Sequence, residues 1–497
     1  MEAQGGFLVS KNRPSRRTKA PEPPGGASRV RRMSRGTRGA GYVHAPEETA
    51  TRRRLGPLTL RHPAQFVVAA FGTAILAGTV LLSLPFATEG PGSAPLLVAL
   101  FTATSSVCVT GLIVVDTPSY WSTFGEVSIM LLIQIGGFGI MALASLLALF
   151  VYRNLGIRGR VVAQAETKTI ELGDIRRVLV GVAIFAIAFE IINSAILTGR
   201  LLPYEESFGR AAYLGVFHSI SAFNNAGFSL YEDSLERFVS DPLIILPIAL
   251  AFIVGGIGFP VLLDLKRYLR SPSRWSLHTK LTLVMTAALI PLGMAMMIFF
   301  EWSNPDTMGP LSAPAKVLAG FFHSVTPRTA GFNSLPVGEM NESTWLGTIV
   351  LMFIGGGSAG TAGGVKVTTV AIVAAMVWAE ASGEPNVDIM RRRLPGPAQR
   401  QALSIMVAGT VAAITAAIWL MAVSGLTSGD ALFEAFSAFG TVGLSTGVTP
   451  DLTTSGRILI IGLMFAGRVG PITLGAALAL REHRRLFRYP EERPIVG

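Results

Sequence analysis

The sequence predicts an all-α polytopic membrane protein. It is built from four covalently linked helix–loop–helix repeats around a pseudo-four-fold central axis. Two observations lead there: long apolar segments, and a glycine-centred loop that recurs four times between them. The chain has 497 residues, 50% of them hydrophobic and only 15% charged, with a mean hydropathy of +0.51. Soluble proteins carry roughly 25% charged residues. The formal net charge of +11 raises nucleic acid as a partner, but where the charges sit argues against it. A single cysteine, Cys108, excludes an intramolecular disulfide framework.

Residues 1–61 are rich in Arg, Pro and Gly, with Arg16-Arg17, Arg31-Arg32 and Arg52-Arg53-Arg54. Such a composition cannot bury enough surface to fold alone, so a disordered, basic cytoplasmic arm is expected. It serves as a positive-inside determinant or as a contact for anionic lipid head groups. Repeat 1 (62–155) has spans at Ala64–Ala87 and Thr123–Tyr152, with a short helix at Ala94–Ala103. Repeat 2 (156–272) has spans at Arg177–Leu202 and Pro242–Tyr268 and a short helix at Phe208–Ile220. Repeat 3 (273–395) has spans at His278–Trp302 and Thr344–Glu380 and a short helix at Ala313–Phe322. Repeat 4 (396–482) has spans at Ala402–Ser424 and Gly456–Leu480, with the run Asp430–Phe436 between them. Residues 483–497 form a cytoplasmic tail. Each span is long enough to cross a bilayer.

The loops carry the argument. Ser437–Gly447 reads Ser-Ala-Phe-Gly-Thr-Val-Gly-Leu-Ser-Thr-Gly, and Ser221–Ser229 reads Ser-Ala-Phe-Asn-Asn-Ala-Gly-Phe-Ser. His323–Asn333 reads His-Ser-Val-Thr-Pro-Arg-Thr-Ala-Gly-Phe-Asn, and Thr102–Leu112 reads Thr-Ala-Thr-Ser-Ser-Val-Cys-Val-Thr-Gly-Leu. Their glycines, Gly111, Gly227, Gly331 and Gly443, recur with a period of roughly 110 residues, too long for a solenoid, so each unit is a small module. A Thr-Val-Gly tripeptide between apolar segments suggests backbone carbonyls that replace an ion's water shell around a central pore. Non-helical backbone at membrane depth is tolerated where it is buried or lines a water-filled path.

Charge sets the orientation and the sign of the cargo. Arg153, Arg158, Arg176, Lys266, Arg270, Arg391-Arg392-Arg393 and Arg484-Arg485 fall on the same side as the basic arm. The positive-inside rule places that side, and both termini, in the cytoplasm. The opposite loops hold mostly acids, among them Asp116, Glu205, Glu232, Glu236, Asp306, Glu342 and Asp451. An acidic mouth concentrates cations.

Together, these loops and the insert Gly-Gly-Gly-Ser-Ala-Gly-Thr-Ala-Gly-Gly-Val-Lys resemble the Trk/Ktr/HKT superfamily of potassium transporters over residues 60–485. The run Gly467-Arg468-Val469-Gly470-Pro471 is similar to that of the membrane subunit of Ktr systems (KtrB). The resemblance implies K⁺ uptake across the bacterial plasma (inner) membrane by a multi-pass homodimer in contact with lipid, with one pore per protomer. It also implies a cytosolic ring of nucleotide-binding (KtrA-type) regulatory subunits. Any nucleotide then sits on that partner, and this chain carries no covalent cofactor. The filter glycines carry over to Gly111, Gly227, Gly331 and Gly443. Carbonyls would come from Val109, Thr110, Asn225, Ala226, Thr329, Ala330, Thr441 and Val442. A serine in the first loop goes with Na⁺ preference in the plant branch, and Gly111 stands there, which favours K⁺. None of the loops has a full Thr-Val-Gly-Tyr-Gly, so some leakage of Rb⁺ or Na⁺ is expected. The alternative is a less selective channel for Na⁺ or ammonium.

The stretch Gly355-Gly356-Gly357-Ser358-Ala359-Gly360-Thr361-Ala362-Gly363-Gly364 interrupts an apolar span. Gly355-x-Gly357-x-x-Gly360 matches a dinucleotide fingerprint only formally, since no βαβ unit surrounds it. The stretch suits a movable barrier under the filter, as the family uses it, or else close helix packing by small residues. Arg468 lies mid-span, where a guanidinium faces a partner or a water-filled cavity. It is read as an electrostatic barrier that also donates to carbonyls of the 355–364 loop. Arg328 is read as bracing the third loop, with Glu434 as a partner. His218 and His323 are read as hydrogen-bonding helix residues, and Glu190 has no assignment. An enzyme would need converging catalytic groups in the spans, which hold only scattered ones.

Overall fold

The computed structural model describes residues 63–154 and 172–480, with 490 and 492. The basic arm 1–61, much of the linker after repeat 1 and all of the tail 483–497 except 490 and 492 lie outside the described residues. Repeat 1 consists of α1 (Pro63–Leu82), the short α2 (Leu96–Cys108) and α3 (Thr123–Asn154). Repeat 2 consists of α4 (Leu172–Leu201), the short α5 (Phe208–Phe223), α6 (Pro242–Ile257) and α7 (Phe259–Tyr268). Repeat 3 follows with α8 (Leu277–Glu301), the short α9 (Ala313–Val325), α10 (Glu342–Phe353) and α11 (Val367–Ala381). A two-stranded antiparallel hairpin, Asp388–Ile389 with Arg392–Arg393, leads to α12 (Gly396–Ser424), the short α13 (Ser428–Gly440) and α14 (Thr454–Leu480).

Side-chain caps start two of the short helices. Ser207 accepts from Arg210 N before α5, and Thr427 accepts from Asp430 N before α13, each at 3.2 Å. Caps of this kind satisfy backbone donors that have no helical partner. The far ends of the short helices are buried. The long helices instead leave apolar side chains exposed, including Leu76, Ile184, Ile191, Leu292, Phe299 and Ile418. An apolar outer surface of this extent suits lipid rather than water. Among the described residues, Val180–Leu201, Leu277–Glu301 and Gly396–Ser424 are each long and apolar enough to cross a membrane.

One expected span is broken. Pro242–Tyr268 bends by 96° between α6 and α7, at Gly258, whose φ is +99°. The cause lies far off in sequence. A Cβ on Gly258 would stand 2.5 Å from the Ser358 carbonyl oxygen, so the 355–364 segment occupies the break. Carbonyls freed there are reused: Gly357 N donates to Gly256 O at 2.8 Å and Thr361 N to Gly255 O at 3.1 Å. The expected interruption between α10 and α11 is present, closed by Gly355 N to Val365 O at 2.8 Å.

Repeats 1, 2 and 4 share a packing device. Gly136, Gly255 and Gly467 each lie on the carbonyl of a residue near the end of the short helix, on Val107, Phe223 and Phe439 respectively. A Cβ at any of the three would collide with that oxygen. Small residues therefore let the long helix seat the short one and fix where its loop begins.

Candidate functional site

All four loops repeat one backbone course. Two residues before each glycine stands a residue in the left-handed region: Val109, Asn225, Thr329 or Thr441, with φ between 51° and 76°. The glycines themselves have φ of 92°, 71°, 78° and 96°. Such angles are uncommon for residues with a Cβ and cluster at functional sites. The N–H groups turn back onto the short helices: Thr110 N to Ser105 O (2.8 Å), Ala226 N to Ser221 O (2.8 Å), Ala330 N to Thr326 O (2.9 Å) and Val442 N to Ser437 O (2.9 Å). Because a trans peptide is planar, the preceding carbonyls of Val109, Asn225, Thr329 and Thr441 point the other way, away from the helix. Gly111 N and Gly443 N bond to the Ser105 and Ser437 hydroxyls at 3.0 and 3.2 Å, which turns the Thr110 and Val442 carbonyls likewise.

The four glycines close on one another in a cycle. A Cβ on Gly111 would meet the Ala226 oxygen and come within 3.2 Å of Gly227 Cα; one on Gly227 would lie 2.8 Å from the Ala330 oxygen and 2.9 Å from Gly331 Cα. Gly331 faces the Val442 oxygen and Gly443 Cα in the same way, and Gly443 returns to the Thr110 oxygen and Gly111 Cα. No side chain fits inside this ring. The hydroxyls of Thr110, Thr329 and Thr441 are buried and find no hydrogen-bond partner among the described residues.

Behind the ring, the repeats differ. His218 Nε2 meets the Ser229 hydroxyl at 3.0 Å, and His323 Nε2 accepts from Ser334 N at 3.2 Å. Both histidines hold the limb that leaves the loop. Glu434 does the same in the fourth loop, accepting from Ser445 and, at 2.9 Å, from Thr449. The expected Arg328–Glu434 pair does not form. Arg328 Nη2 donates instead to Thr286 on α8 at 3.0 Å, because the chain folds Ser445 and Thr449 back onto Glu434 and occupies both its oxygens.

A cavity of about 360 Å³ opens on one side of the ring, lined by the four glycines together with Asp116, Glu232 and Glu236. The 355–364 segment lies on the other side, against the limbs that enter the loops. Thr361 Oγ1 donates to Asn225 Oδ1 at 2.7 Å, and Gly363 lies on the Thr441 side chain and Gly364 on Gly440. Arg468, 2% exposed, donates from Nη1 to the Thr361 carbonyl; its Nε and Nη2 have no partner among the described residues. Lys366 Nζ donates to the Ala362 and Gly363 carbonyls. Lys366 is half-buried, a further cation beside the segment to which the sequence alone assigns no role.

A signal that would have found the arrangement is a second repeat. Gly136-Gly137-Phe138-Gly139, Gly255-Gly256-Ile257-Gly258, Gly355-Gly356-Gly357-Ser358 and Gly467-Arg468-Val469-Gly470 occupy matching places in the four repeats. In this register Arg468 stands where the other repeats have Gly137, Gly256 and Gly356.

Residues 42–488 match the family described as TrkH, cation transport protein. The chain belongs to the TrkH family. Ktr system potassium uptake protein B of Bacillus subtilis (strain 168) is 41% identical over 435 residues, which span 88% of this chain and 97% of that protein. The potassium/sodium uptake protein NtpJ of Enterococcus hirae is 35% identical over 442 residues, 88% of this chain and 97% of that one. In fold, the chain is similar to the crystal structure of the potassium transporter TrkH from Vibrio parahaemolyticus, with a TM-score of 0.67, 17% identity, and coverage of 85% of this chain and 86% of that one. A TrkH-family chain with this apolar exterior is a multi-pass membrane protein. Its relatives are transporters, not enzymes.

Proposed function

We propose that this chain is the ion-conducting subunit of a Ktr-type system that takes up K⁺ across the bacterial plasma membrane. The closed cycle of four glycine loops, with N–H groups turned back and carbonyls left over, supports the reading. Such carbonyls replace the hydration shell of a cation. The C-terminal ends of α2, α5, α9 and α13 lead into the same loops and add the partial negative charge of helix ends. The acidic cavity is the outward mouth, and both termini lie in the cytoplasm. The 355–364 segment is the gate, held shut from below by Arg468 and Lys366, and a cytosolic ring of nucleotide-binding subunits moves it. The conducting unit is a homodimer in lipid, with a pore in each protomer.

A second reading is a less selective cation channel. It is favoured by loops that lack a full Thr-Val-Gly-Tyr-Gly and by the printed name of the Enterococcus hirae relative, a potassium/sodium uptake protein. Cation flux in proteoliposomes, with and without the cytosolic ring, tests both. Flux of K⁺ well above Na⁺ and ammonium, changed by the ring, supports the first reading. Equal fluxes support the second, and no cation flux overturns both.

A further inference from the structure

Glu190 is a buried carboxyl inside α4, 6% exposed, that the reading above leaves unused. An acid at membrane depth is costly and marks a functional position. A residue that served only to fill space between helices would be apolar. Its two oxygens are occupied by amides from two other elements. Gln134 Nε2 on α3 donates to Oε2 at 3.1 Å, and Asn224 Nδ2 donates to Oε1 at 3.2 Å. Asn224 Nδ2 also lies 2.7 Å from Gln134 Oε1 and 2.9 Å from Ile220 O. Three acceptors therefore converge on an amide that has two hydrogens, which leaves the side chain a single orientation. The backbone of Glu190 joins in, its carbonyl accepting from Ser219 on α5 at 2.9 Å.

Asn224 stands three residues before Gly227. At the same distance before Gly331 stands Arg328, which is tied to Thr286 on α8 at 3.0 Å. In both repeats a polar side chain at the entrance of the loop is anchored to the first long helix of its own repeat. The equivalents in repeats 1 and 4, Cys108 and Gly440, have no such anchor to make. Asn224 is followed by Asn225, which is in the left-handed region and takes the Thr361 hydroxyl at 2.7 Å. Thr361 in turn gives its carbonyl to Arg468.

We propose that Glu190 is a positioning residue of the transport path: with Gln134 it fixes Asn224, and so sets the course of the second loop and the seat of Thr361 on Asn225. This rests on the loop-and-gate reading above, and the test separates the two. Full-length chain in proteoliposomes is assayed for K⁺ flux per inserted protein and for the K⁺/Na⁺ permeability ratio, in Glu190→Ala, Glu190→Gln, Gln134→Leu, Thr361→Val and the Glu190→Ala/Thr361→Val double variant. Glu190→Ala is expected to lower the ratio and raise the flux, each by roughly three- to tenfold, the effect of losing one or two buried hydrogen bonds. Glu190→Gln keeps a carbonyl oxygen for Asn224 and recovers most of both. Gln134→Leu shifts both the same way while leaving the acid in place, and it decides the matter if Glu190→Ala does not insert. In the double variant the flux gain is no larger than in Thr361→Val alone. Wild-type ratio and flux in Glu190→Ala, or in Gln134→Leu if that is the variant that inserts, overturn the inference. So does strict additivity in the double variant when Thr361→Val by itself raises flux. Unaltered flux in Thr361→Val instead sinks the gate reading and the gating half of the proposal, and the permeability ratio then decides the loop half.

Discussion

Thr361 donates its hydroxyl to the Asn225 side-chain oxygen across 2.7 Å, though the two lie 136 positions apart in the chain. One belongs to the glycine-rich segment between α10 and α11, the other to the second of four ring-forming loops. On the proposed reading this bond ties the gate segment to the filter, and Arg468 holds the same threonine from its carbonyl side. Movement of the segment therefore has to break contacts with a loop of the ring. Changes at the ring and changes at the segment should differ in their signatures.

Gly111→Ser tests the ring. A Cβ there meets the Ala226 carbonyl oxygen, and Gly111 has φ of +92°. The second loop must give way, and its carbonyls leave their positions. A preference for K⁺ reduced by about 1.4 kcal/mol is a tenfold loss, and we expect the K⁺/Na⁺ permeability ratio to fall by roughly that factor. An unchanged ratio in folded protein removes this loop from the filter.

Glu301 tests the scaffold apart from the path. It is fully buried at the end of α8. Its oxygens accept from Asn304 Nδ2 (2.7 Å), Thr307 (2.6 Å), Asn341 N (2.9 Å) and Thr344. Glu301→Ala leaves these donors unpaired, at a cost of about 1–3 kcal/mol or more. The thermal midpoint in detergent should drop while the permeability ratio of the surviving protein stays put. A lowered ratio at an unchanged midpoint would show the reverse assignment.

Glu236 tests the mouth through pH. Burial pushes its carboxyl up, the Asp233 charge pushes it further, and the Asn333 amide opposes both. As pH falls, Glu236 is neutralised earlier than an ordinary glutamate, and the mouth loses cation attraction. Uptake at low external K⁺ should decline above the usual carboxylate range, and Glu236→Gln should flatten that part of the profile. For folding the sign differs. A raised carboxyl pKa favours the fold below the unfolded pKa, and that contribution is lost as pH rises through the folded one.

The succession of apolar helix, short helix and glycine loop was legible because it lies in local composition and recurring glycines. The interruption at 355–364 was legible for the same reason: its residues are all Gly, Ala, Ser or Thr. The bend at Gly258 was not, since Pro242–Tyr268 reads as one apolar run and only the arrival of Ser358 breaks it. The partners of Arg328 and Glu434 were not legible either. Which hydroxyl meets which charge depends on how a loop returns, and pairing opposite charges by sign alone gave the wrong answer. Arg468 as the odd member of a four-fold Gly-Gly pattern was present in the sequence and simply needed alignment of the repeats.

Arg468 tests the gate. It is buried at the depth of the ring's entrance limbs, and one of its donors, Nη1, holds the Thr361 carbonyl while Nε and Nη2 are left without partners among the described residues. On the proposed gate reading, its charge opposes a cation descending from the ring, and its bond to the Thr361 carbonyl keeps the glycine-rich segment in place. Arg468→Ala removes both effects, so the maximal K⁺ uptake rate per inserted protein should rise while the permeability ratio, set by the ring, stays nearly unchanged. Arg468→Lys should fall between, since it keeps the charge and loses the planar, multi-donor head. A purely structural arginine makes the opposite forecast. Truncation would leave the Thr361 carbonyl unpaired, costing about 1–3 kcal/mol, and would lower stability with no gain in flux. Uptake and thermal midpoint measured on the same preparations separate the two, and a destabilised Arg468→Ala without added flux per molecule would take Arg468 out of the gate.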